Sequence, residues 1–395
     1  MKYLKKFENH SQYESYIATD YAKPNVSYCV QEGDVHYNPV VPHDYSQDYL
    51  TFVALESGTF TFAPKNTNRI SYSTDNGTTW TQGNSVNINN GDKVMWKGTM
   101  TPKDYNGIGT FSATGNFDVQ GNVMSLLFGD NFKGQTDLTG KNYAFYRLFY
   151  NNTKVINAEN LSLPATTLAN YCYFVMFNGC TSLTTAPELP ATTLVGDCYS
   201  NMFYGCTSLT TAPELPATTL ASYCYEYMFE GCTSLTTAPE LLATTLVDSC
   251  YSSMFSGCTS LTTAPELPAT TLESSCYDEM FRGCTSLTTA PELPATTLAN
   301  NCYLYMFAGC TSLTTAPELL ATTLKSGCYR GMFDGCTSLN YIKAMFTTEP
   351  SSTYTYNWVY GVSATGTFVK NSDATWTTTG VHGIPSGWTV ETASA

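Results

Sequence analysis

Cysteine is the residue type on which chemistry would most readily turn in this chain. There are fifteen cysteines but only four histidines, His10, His36, His43 and His382. So many thiols would suggest a disulfide framework in a secreted chain, or a metal centre. Their spacing points elsewhere. Cys172, Cys198, Cys224, Cys250, Cys276, Cys302 and Cys328 recur every 26 residues, and Cys180, Cys206, Cys232, Cys258, Cys284, Cys310 and Cys336 keep the same period. Fourteen of the fifteen are therefore repeat positions. Zinc would want paired ligands or histidines, and no histidine falls within this stretch. Buried thiols acting as small hydrophobes fit the pattern better. Cys29, His36 and His43 lack a fourth ligand. No Ser/His/Asp set, phosphate loop or metal-ligand spacing appears elsewhere, so the expectation is a non-enzyme with no catalytic residue, cofactor or metal.

The elements that carry the thiols are seven copies of one unit, Leu-Pro-Ala-Thr-Thr-Leu-x-x-x-Cys-Tyr-x-x-Met-Phe-x-Gly-Cys-Thr-Ser-Leu-Thr-Thr-Ala-Pro-Glu, beginning at Leu163, Leu189, Leu215, Leu241, Leu267, Leu293 and Leu319. A degenerate copy, Leu148 to Leu161, precedes them with Asn152 at a cysteine position and two extra residues, as an end cap would. One such unit has too few large apolar side chains to offset the entropy of ordering itself, so it must stack on neighbours, which is the logic of a solenoid. Within a unit, Cys172, Met176 and Cys180 stand at i, i+4 and i+8, which predicts one face of a short helical segment, with Phe177 beside it and Gly179 as its stop. Leu183 to Ala186 reads as a short strand with Leu183 inward, broken by Pro187; such strands would pair in parallel. Cys172, Met176, Phe177, Cys180 and Leu183 are the expected structural core. The fold class is mainly β with short helical turns: a leucine-rich-repeat solenoid preceded by a small all-β module.

The Met-Phe-x-Gly-Cys-Thr-Ser-Leu-Thr-Thr-Ala-Pro-Glu-Leu-Pro pattern resembles the BspA-type leucine-rich repeat. The resemblance implies a right-handed solenoid with a parallel sheet. It also implies extracellular interaction (adhesion to cells, matrix proteins or other microbes) and no enzymatic activity.

Identical units are scaffold, so recognition would sit where the copies differ: the three residues before the first cysteine, the pair after Cys-Tyr, and the residue before Gly. On a helical turn 174, 175 and 178 point away from 172, 176 and 180, so these variable positions are expected to face outward. The candidate ligand-binding residues are Tyr171, Phe174, Tyr204, Tyr223, Tyr227, Arg282, Tyr305 and Arg330, of types enriched at binding hot spots. A second register-matched column, Glu188, Glu214, Glu240, Glu266, Glu292 and Glu318, should splay into solvent.

Four segments follow from composition and turn signals: 1–48 an N-terminal attachment segment, 49–135 a β-sandwich-like module, 136–344 the capped repeat array, and 345–395 a C-terminal β cap. In the module, Ser73-Thr-Asp-Asn-Gly-Thr-Thr-Trp80 resembles the Asp-box hairpin of sialidase-like propellers, a structural turn. A glycan-active enzyme would need an arginine cluster for a substrate carboxylate, and the chain has only Arg69, Arg147, Arg282 and Arg330. Met1 to Tyr13, with Pro24 to Cys29 and Val35 to Pro39, resembles the leader of structural proteins of Bacteroides-infecting, crAss-like phages and related prophages. That resemblance implies docking to other virion proteins and assembly in the host cytoplasm. It fits an N-terminus whose basic residues precede no apolar stretch, unlike a secretory signal. The C-terminal segment resembles the closing segment of Bacteroides repeat proteins.

Charge sets the partner class. Charged residues are 13% of the chain, against roughly 25% for ordinary soluble proteins, and the net charge is −14. An acidic, arginine-poor chain is badly suited to nucleic acid or to an anionic membrane, and no apolar run approaches the roughly 20 residues of a membrane span. The expectation is therefore a phage virion fibre or decoration protein, as a homo-oligomer, whose array binds a bacterial surface or a host glycoprotein or glycan. A bacterial BspA-like adhesin at the cell surface is the alternative.

Overall fold

The computed structural model describes residues 43–65 and 69–393, and by backbone alone β1 (Leu4–Phe7) and β2 (Ser27–Val30), which pair in parallel. The rest of the attachment segment, with His10, His36 and the side chain of Cys29, lies outside the described residues.

Alternating apolar strands build a two-layered β module. One sheet runs β11-β10-β3-β8-β5-β6, using β3 (Leu50–Ala54), β5 (Ile70–Ser73), β6 (Thr81–Gln82), β8 (Lys93–Gly98), β10 (Phe117–Asn122) and β11 (Val155–Asn157); β12 (Leu161–Ser162) also pairs with β10. The other runs β7-β4-β9, from β7 (Ser85–Ile88), β4 (Gly58–Pro64) and β9 (Gly109–Ala113), all antiparallel. Phe52, Phe60, Trp96 and Phe111 meet between them with ring centroids 4.8–5.7 Å apart. A four-residue helix, α1 (Ser125–Phe128), follows β10.

Strand β10 joins module to repeats. On one side it pairs antiparallel with β3, and on the other it pairs in parallel with β11 and β12, which belong to the degenerate first copy. The apolar core runs on from Leu50 to Trp388 without a break.

The repeats stack residue over residue, but their backbone differs from both expected elements. Residues 171–180 form neither a helix nor a strand. Positive φ recurs every fourth residue, at Tyr171 (60°), Val175 (50°) and Gly179 (73°), and again in the following copies. Between these kinks the N–H groups alternate in direction. Phe174, Met176, Asn178 and Cys180 each donate to the carbonyl three residues back, whereas Tyr173, Val175, Phe177 and Gly179 donate to Cys198, Ser200, Met202 and Tyr204 of the next coil at 2.8–3.1 Å. The chain is thus a staircase of turns whose every second rung is tied to its neighbour. A helix would have spent all these donors within one coil and left adjacent coils unbonded.

The expected strand at Leu183 also fails to form. Coils meet instead through single-residue parallel bridges, among them Thr185 to Thr211, Thr211 to Thr237 and Thr237 to Thr263. Pro187 and Pro190, kept in most units though Leu242, Leu320 and Lys343 replace them in places, leave too few consecutive donors for a longer ladder. Among the described residues no continuous parallel sheet crosses the repeats; the sheets of the module are antiparallel or mixed, and none closes.

Beyond the last consensus copy the staircase continues. Tyr329, Gly331, Phe333 and Gly335 donate to Tyr354, Tyr356, Trp358 and Tyr360, and positive φ returns at Asn357 and Gly361. Residues 345–370 are therefore one more coil rather than only a β cap. It is closed by a parallel three-stranded sheet of β13 (Tyr341–Ala344), β14 (Thr367–Lys370) and β15 (Thr389–Thr392). Phe346, Trp358 and Trp376 cover the end of the aromatic core.

Candidate functional site

The scaffold under the variable face is uniform. Cys172, Met176, Phe177, Cys180 and Leu183 are fully buried, as are their counterparts in every copy. Tyr173 joins them, a core position that residue type alone does not reveal. Tyr173 to Tyr329 stack at 5.6–6.0 Å, and Phe149 to Phe333 at 5.1–5.9 Å. The second thiol of each unit has a definite partner. Cys180 Sγ donates to the Phe149 carbonyl at 3.0 Å, and the six cysteines that follow in this column repeat the contact at 3.0–3.2 Å. All fourteen described thiols are free and buried, and burial pushes them well above the ordinary thiol range.

The variable positions are not uniformly outward. Val175, Ser200, Ser252, Ser253 and Ala308 are buried. The candidate residues fall into three groups. In the first, Tyr171 stacks on Tyr143 (4.6 Å, 4°) and Phe174 on Tyr146 (5.7 Å, 8°). Tyr143 and Tyr146 were missed in the sequence, although allowing for the two extra residues of the first copy puts them in the same columns. Tyr204 and Tyr223 are exposed, at 39% and 38%.

The second group spans copies three to six. Tyr227 is half-buried, and Arg282 pairs with Glu279 at 2.9 Å while its guanidinium lies 5.7 Å from the Tyr305 ring. Around them sit carboxylates that sequence reasoning passed over. Burial, then the charges of Asp197 and Asp248, hold the Glu226 carboxyl up at about 7. Burial, then Glu279 and Glu226, hold Asp278 at about 7 against the opposing pull of Arg282. Alternation of small and long residues down one column carries the signal: Ser200, Glu226, Ser252, Asp278. In the third group Arg330 lies 5.1 Å over Tyr356, which stacks on His382. Counting 26 onward from Arg330 reaches both.

The other motifs are structural. In the Asp-box, Asp75 accepts from Thr79 N and Oγ1 and from Ser73 Oγ, which holds its carboxyl down at about 2, and Trp80 Nε1 donates to the Gly77 carbonyl. His43 pairs with Asp48. The glutamate column is exposed, with Glu318 held by Lys343 at 3.0 Å. Among the described residues no three His, Cys, Asp or Glu side chains are grouped to hold a metal ion, and no helix is long and apolar enough to cross a membrane.

Against known families, the model for the BspA type Leucine rich repeat region matches in 6 copies over residues 141–288 and 251–357. No curated protein and no solved structure matches the chain.

Proposed function

The chain belongs to the BspA-type leucine-rich-repeat family of repeat-containing surface or binding proteins, and from that premise we propose that its array is a non-enzymatic attachment surface on a right-handed solenoid of parallel coils. One observation carries the reading. The core columns headed by Cys172, Tyr173, Met176, Phe177, Cys180 and Leu183 are buried and identical in every copy, whereas Tyr204, Tyr223, Arg282 and Arg330, which differ from copy to copy, lie exposed on the staircase. A uniform scaffold presenting a changing row of Tyr, Phe, Arg and carboxylates is suited to recognition across a wide surface.

The finer reading is a phage virion fibre or decoration protein. Residues 1–48 would dock to other virion proteins, and the variable face would contact a bacterial surface or a gut mucosal ligand. What supports it is the leader's resemblance to phage structural proteins. The family match favours a second reading, a bacterial surface adhesin. Peptide mass spectrometry of density-banded phage particles and of outer-membrane fractions separates the two. Repeat peptides in the particle band are the expected result; peptides confined to the membrane fraction leave only the adhesin. The attachment surface itself is checked by Tyr204→Ala/Tyr223→Ala, which should weaken adsorption to the target cells without unfolding the array.

A further inference from the structure

The variable face changes sign along the array. In copies two to five carboxylates dominate it, and the one guanidinium there, Arg282, is committed to Glu279. Copy seven reverses the balance, with Lys325 and Arg330 against Asp334 alone. Asp334 is half-buried and feels Arg282 rather than Arg330. Arg330 is exposed and makes no ion pair among the described residues.

The fold lines up hydrogen-bond donors around it. Arg330, Tyr356 and His382 stand 26 residues apart in one column. The guanidinium lies 5.1 Å from the Tyr356 centroid, and the His382 ring stacks on Tyr356 at 5.2 Å and 28°. The coils add along one axis, so Arg330 and His382 flank the tyrosine from either side. Asn357 N–H donates to His382 Nδ1 at 3.0 Å. A ring nitrogen that accepts carries no hydrogen, so in the neutral imidazole Nε2 bears it. That Nε2–H has no partner among the described residues and is not sealed from solvent. Tyr356 is 38% exposed, and Tyr360, one turn onward, is 56% exposed with no ring stacked on it among the described residues.

Resting on the attachment-surface reading above, we infer that this end of the array binds an acidic oligosaccharide. The carboxylate of one uronic acid residue sits on the Arg330 guanidinium, and hydroxyls of a neighbouring sugar accept from His382 Nε2–H. A guanidinium without a carboxylate of its own presents the planar fork that grips one side-on. A lone small oxyanion does not suffice, because the Tyr356 ring separates the two donors. The ligand must extend along the coils, offering an anion at one point and neutral acceptors further on. Further negative charges would lie against the acidic copies. A sugar also brings flat C–H faces to the exposed rings of Tyr356 and Tyr360, which an acidic peptide does not.

The probe is xylotriose bearing one glucuronic acid, titrated by calorimetry into the intact chain at neutral pH and moderate salt, which screens the chain's net charge of −14. Parallel arms use uncharged xylotetraose, a singly sulfated oligosaccharide of the same length, and a tetrapeptide with one glutamate. Arg330→Gln should weaken the acidic sugar at least about tenfold. Arg330→Lys should recover only part of this, since it keeps the charge without the fork. Arg147→Gln removes the same charge at the other end of the array and should leave binding within about twofold. Arg330 is exposed and unpaired, so its variants keep the fold. No binding of the acidic sugar by the wild type, or an equal loss in Arg147→Gln and Arg330→Gln, would overturn the site. Xylotetraose binding as tightly would overturn the role of the carboxylate. Tighter, Arg330-dependent binding of the sulfated sugar or of the peptide would overturn the choice of ligand. Failure here while Tyr204→Ala/Tyr223→Ala still weakens adsorption would remove the acidic-sugar site and leave the attachment surface standing.

Discussion

Thiols and aromatic rings define the residue scale. Each second-column cysteine serves two purposes, filling the core and giving a second donor to a carbonyl of the preceding coil that also accepts a backbone N–H, as Phe229 does from Cys232. Cys258 sits mid-array, with its Sγ 3.2 Å from the Phe229 carbonyl. Cys258→Ala should cost about 1–3 kcal/mol, since a buried void opens and the carbonyl keeps only the Cys232 N–H. Cys258→Ser should cost less, because it keeps a donor. Denaturant midpoints rank the three proteins. The thiols should also be silent toward a disulfide reagent in the native state and react only on unfolding, because burial both raises them and shuts out the reagent. A native-state count above zero from the fourteen repeat thiols would contradict the geometry.

At the scale of the element, the staircase depends on a left-handed residue every fourth position. Asn and Asp accept that conformation readily, and Asn201, Asn301, Asn357 and Asp197 occupy it. Side chains without that tolerance cost roughly 1–2 kcal/mol there. Ser275 holds φ 52°, so Ser275→Val should destabilise by about that amount while Ser275→Gly should not. Gly331 is a different case: its φ is 60°, and a Cβ would also strike the Tyr305 ring. The last step of the staircase ends on a side chain. Asn357 N–H donates to His382 Nδ1 at 3.0 Å, where every earlier coil offers a carbonyl, and Trp358 Nε1 donates to the Gly383 carbonyl. His382→Ala should therefore raise amide exchange in residues 345–370 and leave the central coils unchanged, since stacked repeats are bound only to their neighbours.

For the whole molecule, the balance of charge on the variable face makes stability depend on pH. The Glu226 and Asp278 carboxyls stand at about 7 in the folded chain against 4.5 and 3.8 for the free side chains. The folded state therefore binds more protons than the unfolded one between those limits, so these two groups lower stability as pH rises and restore it as pH falls. The melting temperature should climb between about pH 8 and pH 5, and the slope should flatten in Glu226→Gln/Asp278→Asn, which should be the more stable protein at the alkaline end. A steeper slope in that variant would mean that other carboxylates dominate. The net charge of −14 adds general repulsion that salt would screen, so the comparison belongs at fixed ionic strength.

What the sequence determined by itself was the register: a period of 26, the copies, and the burial of Cys172, Met176, Phe177, Cys180 and Leu183, because large apolar side chains and thiols that recur unchanged in every copy stack into one core. It also placed Tyr204 and Tyr223 at the surface. The backbone was decided by the tertiary structure. Apolar residues at i, i+4 and i+8 suit a helix and a four-residue staircase equally, and the staircase is chosen by alternate N–H groups whose acceptors lie 25 residues away on the next coil, as for Tyr173 and Cys198. The same distance hid the extra coil at 345–370, where Trp358 and Asn357 take over positions that no longer read as the repeat. It hid the burial of Ser252 too, since that residue is unremarked until the coils carrying Glu226 and Asp278 stack on either side of it. Local residue type sets which way a side chain prefers to point, and only stacking sets what it meets there.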